Sequence, residues 1–557
     1  LVLIFASFIR FWSPNKYPPS LFSDEVDVAL QVKSFLATGA DYYGNFLPLQ
    51  FHSFSDVRTA LPIYFTALIA KVTGNIELAV RLEPAIMGVL GVLGLYLLVN
   101  QLFPKSQISN IKSQINVGHF AALLLALTPW HLTYSRVGFE VTTLFAFFVF
   151  GLYFLKKYFD SRSSSHLFLS LFLFSLTPLI YSTAKLSLFF LPVLILFFPS
   201  TSFKKNIRSQ GLLVGLLLMF VPLIIVAVSG GATSRFDYIS IFSDPTIPPE
   251  LNVARKGDQG EDLPVGTKPL FLSQVFRNKY VVYGQRITNN LFSVISSDFL
   301  FVKGDLNLRH ALPDWGMLYK TEGILILFGL YALTKYAREK NYQNIIFFFI
   351  ILTALAIAPG SLTRDGGTHA TRSFLLLIPL ITLASLGAIE IVTHSRFLLL
   401  LLVPLLIFES SFYFFDYFHR YVFFSERQWH SGLKQVVLSA NKQTGPVVIT
   451  NSYEPPLIFY LFYSDYPLST MQQLIKTDSL LTEIPPSYNL GGRKLANREV
   501  YFANIDDKNL SDPLKVKSAT YYLTEPDLTN HLDYKTRATT VIKLPSGLPL
   551  FYEIKTL

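Results

Sequence analysis

Cysteine is absent from all 557 residues. That excludes a disulfide framework, thiol catalysis and zinc or iron–sulfur centres built on cysteine. Charge is scarce too: 15% of residues are Asp, Glu, Lys or Arg, against roughly 25% in soluble domains. A water-soluble surface cannot be covered with so little. There is no glycine-rich phosphate loop, which leaves a nucleotide-binding role without support. No nucleophile elbow and no internal repeat are visible, which argues against a serine hydrolase and an inverted-repeat transporter. What the chain does have is 51% hydrophobic residues, 51 Phe and 29 Tyr, with a mean hydropathy of +0.41. Its net charge of +10 sits in short clusters between apolar runs rather than in one basic patch. That is a membrane pattern, not a nucleic-acid one.

The opening run Leu1–Trp12 is shorter than the roughly 20 apolar residues a bilayer needs, and is expected to be the outer end of a longer helix. A residual signal peptide would show a basic start and a small-residue cleavage site, and neither is seen. Apolar runs follow at 84–102, 117–133, 138–155, 167–181, 186–199, 211–229, 321–337, 344–358, 373–392 and 397–412. The fold class expected is mainly α: a polytopic membrane protein of about eleven spans with a small external α/β C-terminal domain. Short-loop cations set the orientation. With a cytoplasmic N-terminus, the inner loops hold Lys105, Lys112, Lys156, Lys157, Arg162, Lys204, Lys205, Arg208, Lys335, Arg338, Lys340 and Arg396, opposed by Asp160 and Glu339. The C-terminus then lies outside. The expected partition is 1–412, a transmembrane module with external loops at 13–80 and 230–320, and 413–557, an external domain. Helical patterns appear at Glu25–Leu36, Pro62–Val72 and 429–441. Strand-like runs appear at Val447–Thr450, Val500–Ala503, Thr520–Leu523 and Thr540–Leu544.

Ionisable groups at one membrane boundary are the informative ones. Ser23-Asp24-Glu25-Val26-Asp27 packs three carboxylates into four positions just after the first helix. One of them could act as a proton acceptor beside a substrate; equally, Asp24 could simply cap the helix that starts there. Arg136, Lys185, Arg364 and Arg372 lie at outer boundaries, and Arg58 lies in the first loop. Together they suit an anionic group at headgroup depth, such as a lipid phosphate. Singly, each could snorkel or pair locally, as Arg136 with Glu140 one turn on. Arg309-His310, and His369 with Asp365, have no convincing metal-ligand spacing, so no metal is assigned.

Several motifs point to a family. Phe22-Ser23-Asp24-Glu25 resembles the signature of the C-type (GT-C) membrane glycosyltransferases, in the branch of protein O-mannosyltransferases and the aminoarabinose-lipid A transferase. Tyr43-Gly44-Asn45-Phe46-Leu47-Pro48, Ser53-Phe54-Ser55-Asp56, Ala79-Val80-Arg81-Leu82, Pro129-Trp130-His131, Ser135-Arg136 with Phe139-Glu140, and Ser361-Leu362-Thr363-Arg364 with His369-Ala370 and Arg372-Ser373 resemble bacterial members similar to dolichyl-phosphate-mannose-protein mannosyltransferases. The resemblance runs from about 20 to 470. The chain departs from the family pattern at Thr59-Ala60-Leu61-Pro62 and at Arg81-Leu82-Glu83-Pro84, which bears on the shape of the first loop.

The resemblance implies inverting transfer of a sugar from a polyprenyl-phosphate carrier to a hydroxyl acceptor (protein, lipid or cell-envelope glycan) on the outer face of the cell membrane. Asp24 would take the acceptor's proton, and Glu25 would position a substrate or tune Asp24. Arg58, Lys185, Arg364 and Arg372 would hold the donor phosphate. Asp56, His131, Arg136, Glu140, Arg309, His310 and His369 would touch substrate or support the site. A monophosphate leaving group can be managed by Arg and Lys alone, so no cofactor is required, and a divalent metal is possible without being needed. The alternatives from other classes are a lipid-linked-sugar flippase, which would prefer charges at mid-membrane depth, and an assembly protein.

Overall fold

The computed structural model describes residues 1–54, 56–104, 116–198, 220–221, 224, 238–258, 268–339, 344–488, 490–505, 516–529 and 532–556. The expected span at 211–229 lies almost wholly outside these residues. So do Lys105, Lys112, Lys204, Lys205, Arg208 and Lys340. The described chain forms two compact units: Leu1–Arg10 with Pro84–Ser135 and Phe139–Tyr413, and Phe11–Glu83 with Arg136–Gly138 and Phe414–Leu557. Phe11–Glu83, assigned by sequence to the 1–412 module, thus groups with the C-terminal residues.

The first unit is helical. Among the described residues, five helices are long and apolar enough to cross a membrane: Ile76–Leu102, Val141–Ser161, Asn344–Ser361, Phe374–His394 and Arg396–Ser425. Two of these pass into the other unit at an end. Shorter apolar helices at Val117–Leu127, Ser164–Leu176 and Ala184–Leu196 cover the runs at 117–133, 167–181 and 186–199. The run at 321–337 is the helix Lys320–Glu339. Its start is held by Glu322, which accepts from Tyr319 N–H at 2.8 Å, and by Glu409, which accepts from the Lys320 and Thr321 N–H groups at 3.2 and 3.0 Å. Both carboxylates satisfy donors that a helix start leaves without intrahelical partners. The helix packs on Leu377–His394 through Gly329 and Gly387, where an added Cβ on either would strike the other helix's backbone. Small residues permit this approach, the way helices associate where lipid removes the hydrophobic drive. Phe397, Leu400 and Phe408 are largely exposed along Arg396–Phe415, an apolar face suited to lipid.

The second unit opens with the helix Ser23–Thr38, followed by strands β1 (Gln50–His52) and β2 (Val57–Thr59) and the helix Ala60–Thr73. Val26, Ala29 and Leu30 share one core with Ile63 and Ala67. Gly39, at φ +69°, ends the first of these helices, and its N–H returns to the Phe35 carbonyl; glycine takes this left-handed cap without cost. The β1–β2 pairing sets Phe51 opposite Arg58. Further along, a seven-stranded sheet forms from β3 (Val447–Thr450), β4 (Leu481–Glu483), β5 (Gly491–Leu495), β6 (Val500–Asn504), β7 (Thr520–Thr524), β8 (Thr540–Lys543) and β9 (Pro549–Lys555). Its order is β4-β5-β6-β3-β7-β9-β8. The central strand β3 runs parallel to both neighbours, and all four of its residues are buried. That explains its unbroken Val-Val-Ile-Thr run, since a strand covered on both faces does not alternate. The 429–441 pattern shortens to the helix Leu433–Ala440.

Candidate active site

Phe22 is extended and Ser23 begins the helix, so the capping position is Phe22 rather than Asp24. Asp24 and Glu25 both fall in the first turn, where the helix dipole favours negative charge. The two carboxylates then diverge. Glu25 is fully buried. Its oxygens accept from Arg81 Nε at 2.5 Å, Arg81 Nη2 at 2.7 Å, Gly138 N–H at 2.8 Å and Phe22 N–H at 3.3 Å. Arg81 also donates to the carbonyls of Pro14 and Ser20 at 3.1 and 2.7 Å and lies over the Trp429 ring. Glu25 is therefore enclosed by these donors and anchors the helix start.

Asp24 keeps a side chain that is 58% exposed, and its Oδ1 accepts from Arg58 Nη2 at 2.7 Å. Arg58 Nε donates in turn to Asp27 at 2.7 Å, and Asp27 receives the Tyr42 hydroxyl at 2.8 Å. Burial, then the charge of Asp27, raises the Tyr42 pKa, so the phenol stays protonated and keeps donating. Tyr42 itself accepts from Phe54 N–H at 3.0 Å. Arg58 thus serves two carboxylates. Two negative charges and one positive make this corner net acidic. Asp56, in the turn between β1 and β2, accepts from Val57 N–H at 2.7 Å.

Arg136 is buried; its Nη2 donates to the carbonyls of Trp12 and Tyr17 at 2.8 and 3.1 Å, and it lies over Tyr417 and Phe418. It fastens chain segments together.

In the helical unit, Arg372 Nη1 donates to Thr363 Oγ1 at 2.7 Å and to the Arg364 carbonyl at 2.6 Å. It lines a small recess with Tyr181, Thr183, Ser187, Thr371 and Phe374. Lys185 follows Ala184, another lining residue, and is half-buried. Arg364 turns elsewhere: it donates to the Tyr238 carbonyl and lies 3.8 Å from Asp244, a carboxylate it shares with Arg286. Burial works against the Asp244 charge. Hydrogen bonds from the Thr246 N–H and hydroxyl, with the charges of Arg286 and Arg364, outweigh it and hold the carboxyl below its ordinary value. Arg364 thus faces a carboxylate of its own unit.

His131 is buried, its Nδ1 2.8 Å from Arg10 Nη2 and its ring stacked on Phe374, so it is part of the packing. Glu140 stands half-buried before the helix Val141–Ser161. Arg309 is half-buried, and its N–H bonds Asn307 Oδ1 at 3.0 Å. His310 and His369 come together, ring centroids 5.0 Å apart. The carboxylate beside them is Asp305, not Asp365, which is exposed. Burial opposes the Asp305 charge, but His310 and the N–H groups of Asn307 and Ala370 hold its pKa below the ordinary value. Sequence reading weighs Asp27 only as one of three neighbouring carboxylates and does not single out Arg81 or Asp305. Asp27 and Arg81 stand inside quoted motifs, and the Asp305-Leu306-Asn307 turn five residues before His310 was the available sign of the third.

Residues 58–226 match the model of a family described as dolichyl-phosphate-mannose-protein mannosyltransferase. Over those residues the chain resembles a family of glycosyltransferases. No curated protein matches it. Similar solved structures include the Archaeoglobus fulgidus oligosaccharyltransferase in its apo form, at 12% identity and a TM-score of 0.45, over 83% of this chain and 63% of that one. ArnT from Cupriavidus metallidurans in the apo state aligns at 10% identity and a TM-score of 0.40, over 99% and 97%. The S. cerevisiae protein O-mannosyltransferase Pmt1–Pmt2 complex aligns at 15% identity and 0.30, over 41% and 31%. The chain spans less than two thirds of the oligosaccharyltransferase's length.

Proposed function

We propose that this membrane protein transfers a sugar, with inversion, from a polyprenyl-phosphate donor to a hydroxyl acceptor on the outer face of the cell membrane. The observation that carries the reading is Asp24: an exposed carboxylate at a helix start, oriented by Arg58, inside a chain whose residues 58–226 match a dolichyl-phosphate-mannose transferase family. Asp24 takes the acceptor's proton while the hydroxyl oxygen attacks the anomeric carbon. The bond from that carbon to the phosphate oxygen breaks, and the carrier leaves as polyprenyl phosphate. Cationic side chains supply positive charge for that leaving phosphate.

The test is transfer by the purified protein from a radiolabelled polyprenyl-phosphate sugar, scored as polyprenyl phosphate released and sugar transferred. Asp24→Asn keeps the side-chain shape but cannot accept a proton at neutral pH. Transfer should fall by about 10²–10⁴-fold, the usual worth of general-base catalysis, with donor binding retained. A variant transferring at the parental rate overturns Asp24 as the base. A parent that moves donor across a vesicle membrane without cleaving it supports a flippase instead.

A further inference from the structure

Asp305, His310 and His369 each offer one ligand atom, and the three atoms lie within 4.8 Å of one another. Two segments far apart in sequence meet here, and the backbone fixes the meeting. Asp305 Oδ1 accepts from Asn307 N–H at 2.9 Å, which folds the local turn. Asp305 Oδ2 accepts from Ala370 N–H at 2.9 Å, which draws in the residue next to His369. The same oxygen lies 2.7 Å from His310 Nδ1. Aromatic rings hold the imidazole of His310: Tyr134 stands 5.9 Å and Phe139 5.3 Å from it, centroid to centroid. Tyr134 is itself tied through its hydroxyl to Thr371 Oγ1 at 2.8 Å, two residues beyond His369. His310 is 9% exposed.

Two imidazoles and one carboxylate form a nitrogen-rich donor set. Magnesium and calcium prefer oxygen-only surroundings, whereas zinc and its first-row neighbours accept this mixture. Zinc–ligand bonds of about 2.0–2.1 Å place tetrahedral ligand atoms roughly 3.3 Å apart, so the cluster needs side-chain adjustments of about an ångström rather than a rearranged backbone. We propose that Asp305, His310 and His369 bind one divalent transition-metal ion of the zinc class. Three protein ligands leave a fourth position for water or an anionic oxygen, as in open zinc sites. The ion clamps the 305–310 segment to the 369–370 segment, and so fixes the backbone that leads to Arg372. The proposal does not depend on the glycosyl-transfer reading.

The experiment uses untagged, detergent-purified full chain, stripped with EDTA and dialysed against Zn²⁺ or Co²⁺ alone. With no cysteine in the chain, thiolate sites cannot compete. The parent should retain one metal equivalent by mass spectrometry, and X-ray absorption should show two imidazoles in the zinc shell. His310→Gln and His369→Gln should each weaken binding by more than the roughly 10–100-fold that loss of an outer-sphere partner costs. His119→Gln, at an exposed position, should bind like the parent. Added zinc should raise the thermal midpoint of the parent but not of His369→Gln. A parent that retains no metal, or a zinc shell without two imidazoles, overturns the proposal even if the variants fail to fold. Parental affinity in both histidine variants overturns it as well, leaving Asp305–His310 a hydrogen-bonded tie between two loops.

Discussion

Glu25 and Arg81 meet as two forks, Nε to Oε1 at 2.5 Å and Nη2 to Oε2 at 2.7 Å, with both side chains shut away from solvent. Breaking a buried pair by removing one partner is costly, because the other charge stays buried without compensation. Glu25→Gln should therefore destabilise the protein by about 3–5 kcal/mol, measured by thermal or chemical unfolding in detergent. Glu25→Gln combined with Arg81→Met removes the stranded charge and should recover part of the loss. If Glu25→Gln unfolds like the parent yet loses transfer, Glu25 contacts substrate and the anchoring role is wrong.

Arg58 bridges Asp24 and Asp27 through different guanidinium nitrogens, both at 2.7 Å. A lysine is a point charge and cannot span both carboxylates in that fork geometry. Arg58→Lys should therefore lower kcat by about 10²-fold, the scale of a misplaced catalytic group, while the KM for donor changes little. Arg58→Ala should do the same without greater loss of donor affinity. A raised donor KM with kcat intact would instead return Arg58 to the phosphate.

What the sequence shows and hides follows from where each interaction is encoded. Local patterns carry helices and strands. Glu25–Leu36 became Ser23–Thr38, Pro62–Val72 became Ala60–Thr73, and the four strand-like runs became β3, β6, β7 and β8. Ion pairs are not local. Arg58 finds Asp24 across 34 residues, Arg81 finds Glu25 across 56, and Asp305 is bound by Ala370 N–H across 65. The sequence flags each charge without naming its partner: the carboxylates of Arg58 and the carbonyls of Arg136 are visible only in the fold. The Asp24–Glu25 pair resists reading for a related reason. Adjacent helix residues point about 100° apart, and only the surrounding fold decides which faces the interior.

Asp244 connects the pairing to pH. Its carboxyl is held below the ordinary value by Thr246, Arg286 and Arg364 in spite of burial. A depressed folded-state pKa contributes stability that is complete above the ordinary carboxylate value of about 3.9. That contribution is lost as pH falls through the lowered value. The thermal midpoint should drop on the acid side of about pH 4, and Asp244→Asn should start from a lower midpoint at neutral pH and show a flatter acid limb. An unchanged acid limb in Asp244→Asn would assign the acid loss to other carboxylates.

Arg372 and Lys185 test the donor phosphate. Arg372 donates to neutral oxygens, Thr363 Oγ1 and the Arg364 carbonyl, and lines the recess with Thr183 and Ser187; Lys185 adjoins Ala184 on that wall. The hydroxyl and the carbonyl orient the guanidinium, whose fork geometry suits an anionic oxygen group. A charge-assisted hydrogen bond is worth about 1.5–3 kcal/mol, so Arg372→Ala should weaken polyprenyl-phosphate binding by roughly 10–150-fold. Lys185→Ala should do the same or somewhat less, because a flexible ammonium is less preorganised than a guanidinium. Binding is measured directly, by titrating the lipid phosphate against tryptophan fluorescence or by equilibrium retention on liposomes, with unfolding midpoints checked alongside. Arg364→Ala provides the contrast. Its charge already faces Asp244, so its loss should lower stability more than donor affinity. Parental lipid-phosphate affinity in both Arg372→Ala and Lys185→Ala would leave these cations as supports of the helical unit and move the search for the phosphate elsewhere.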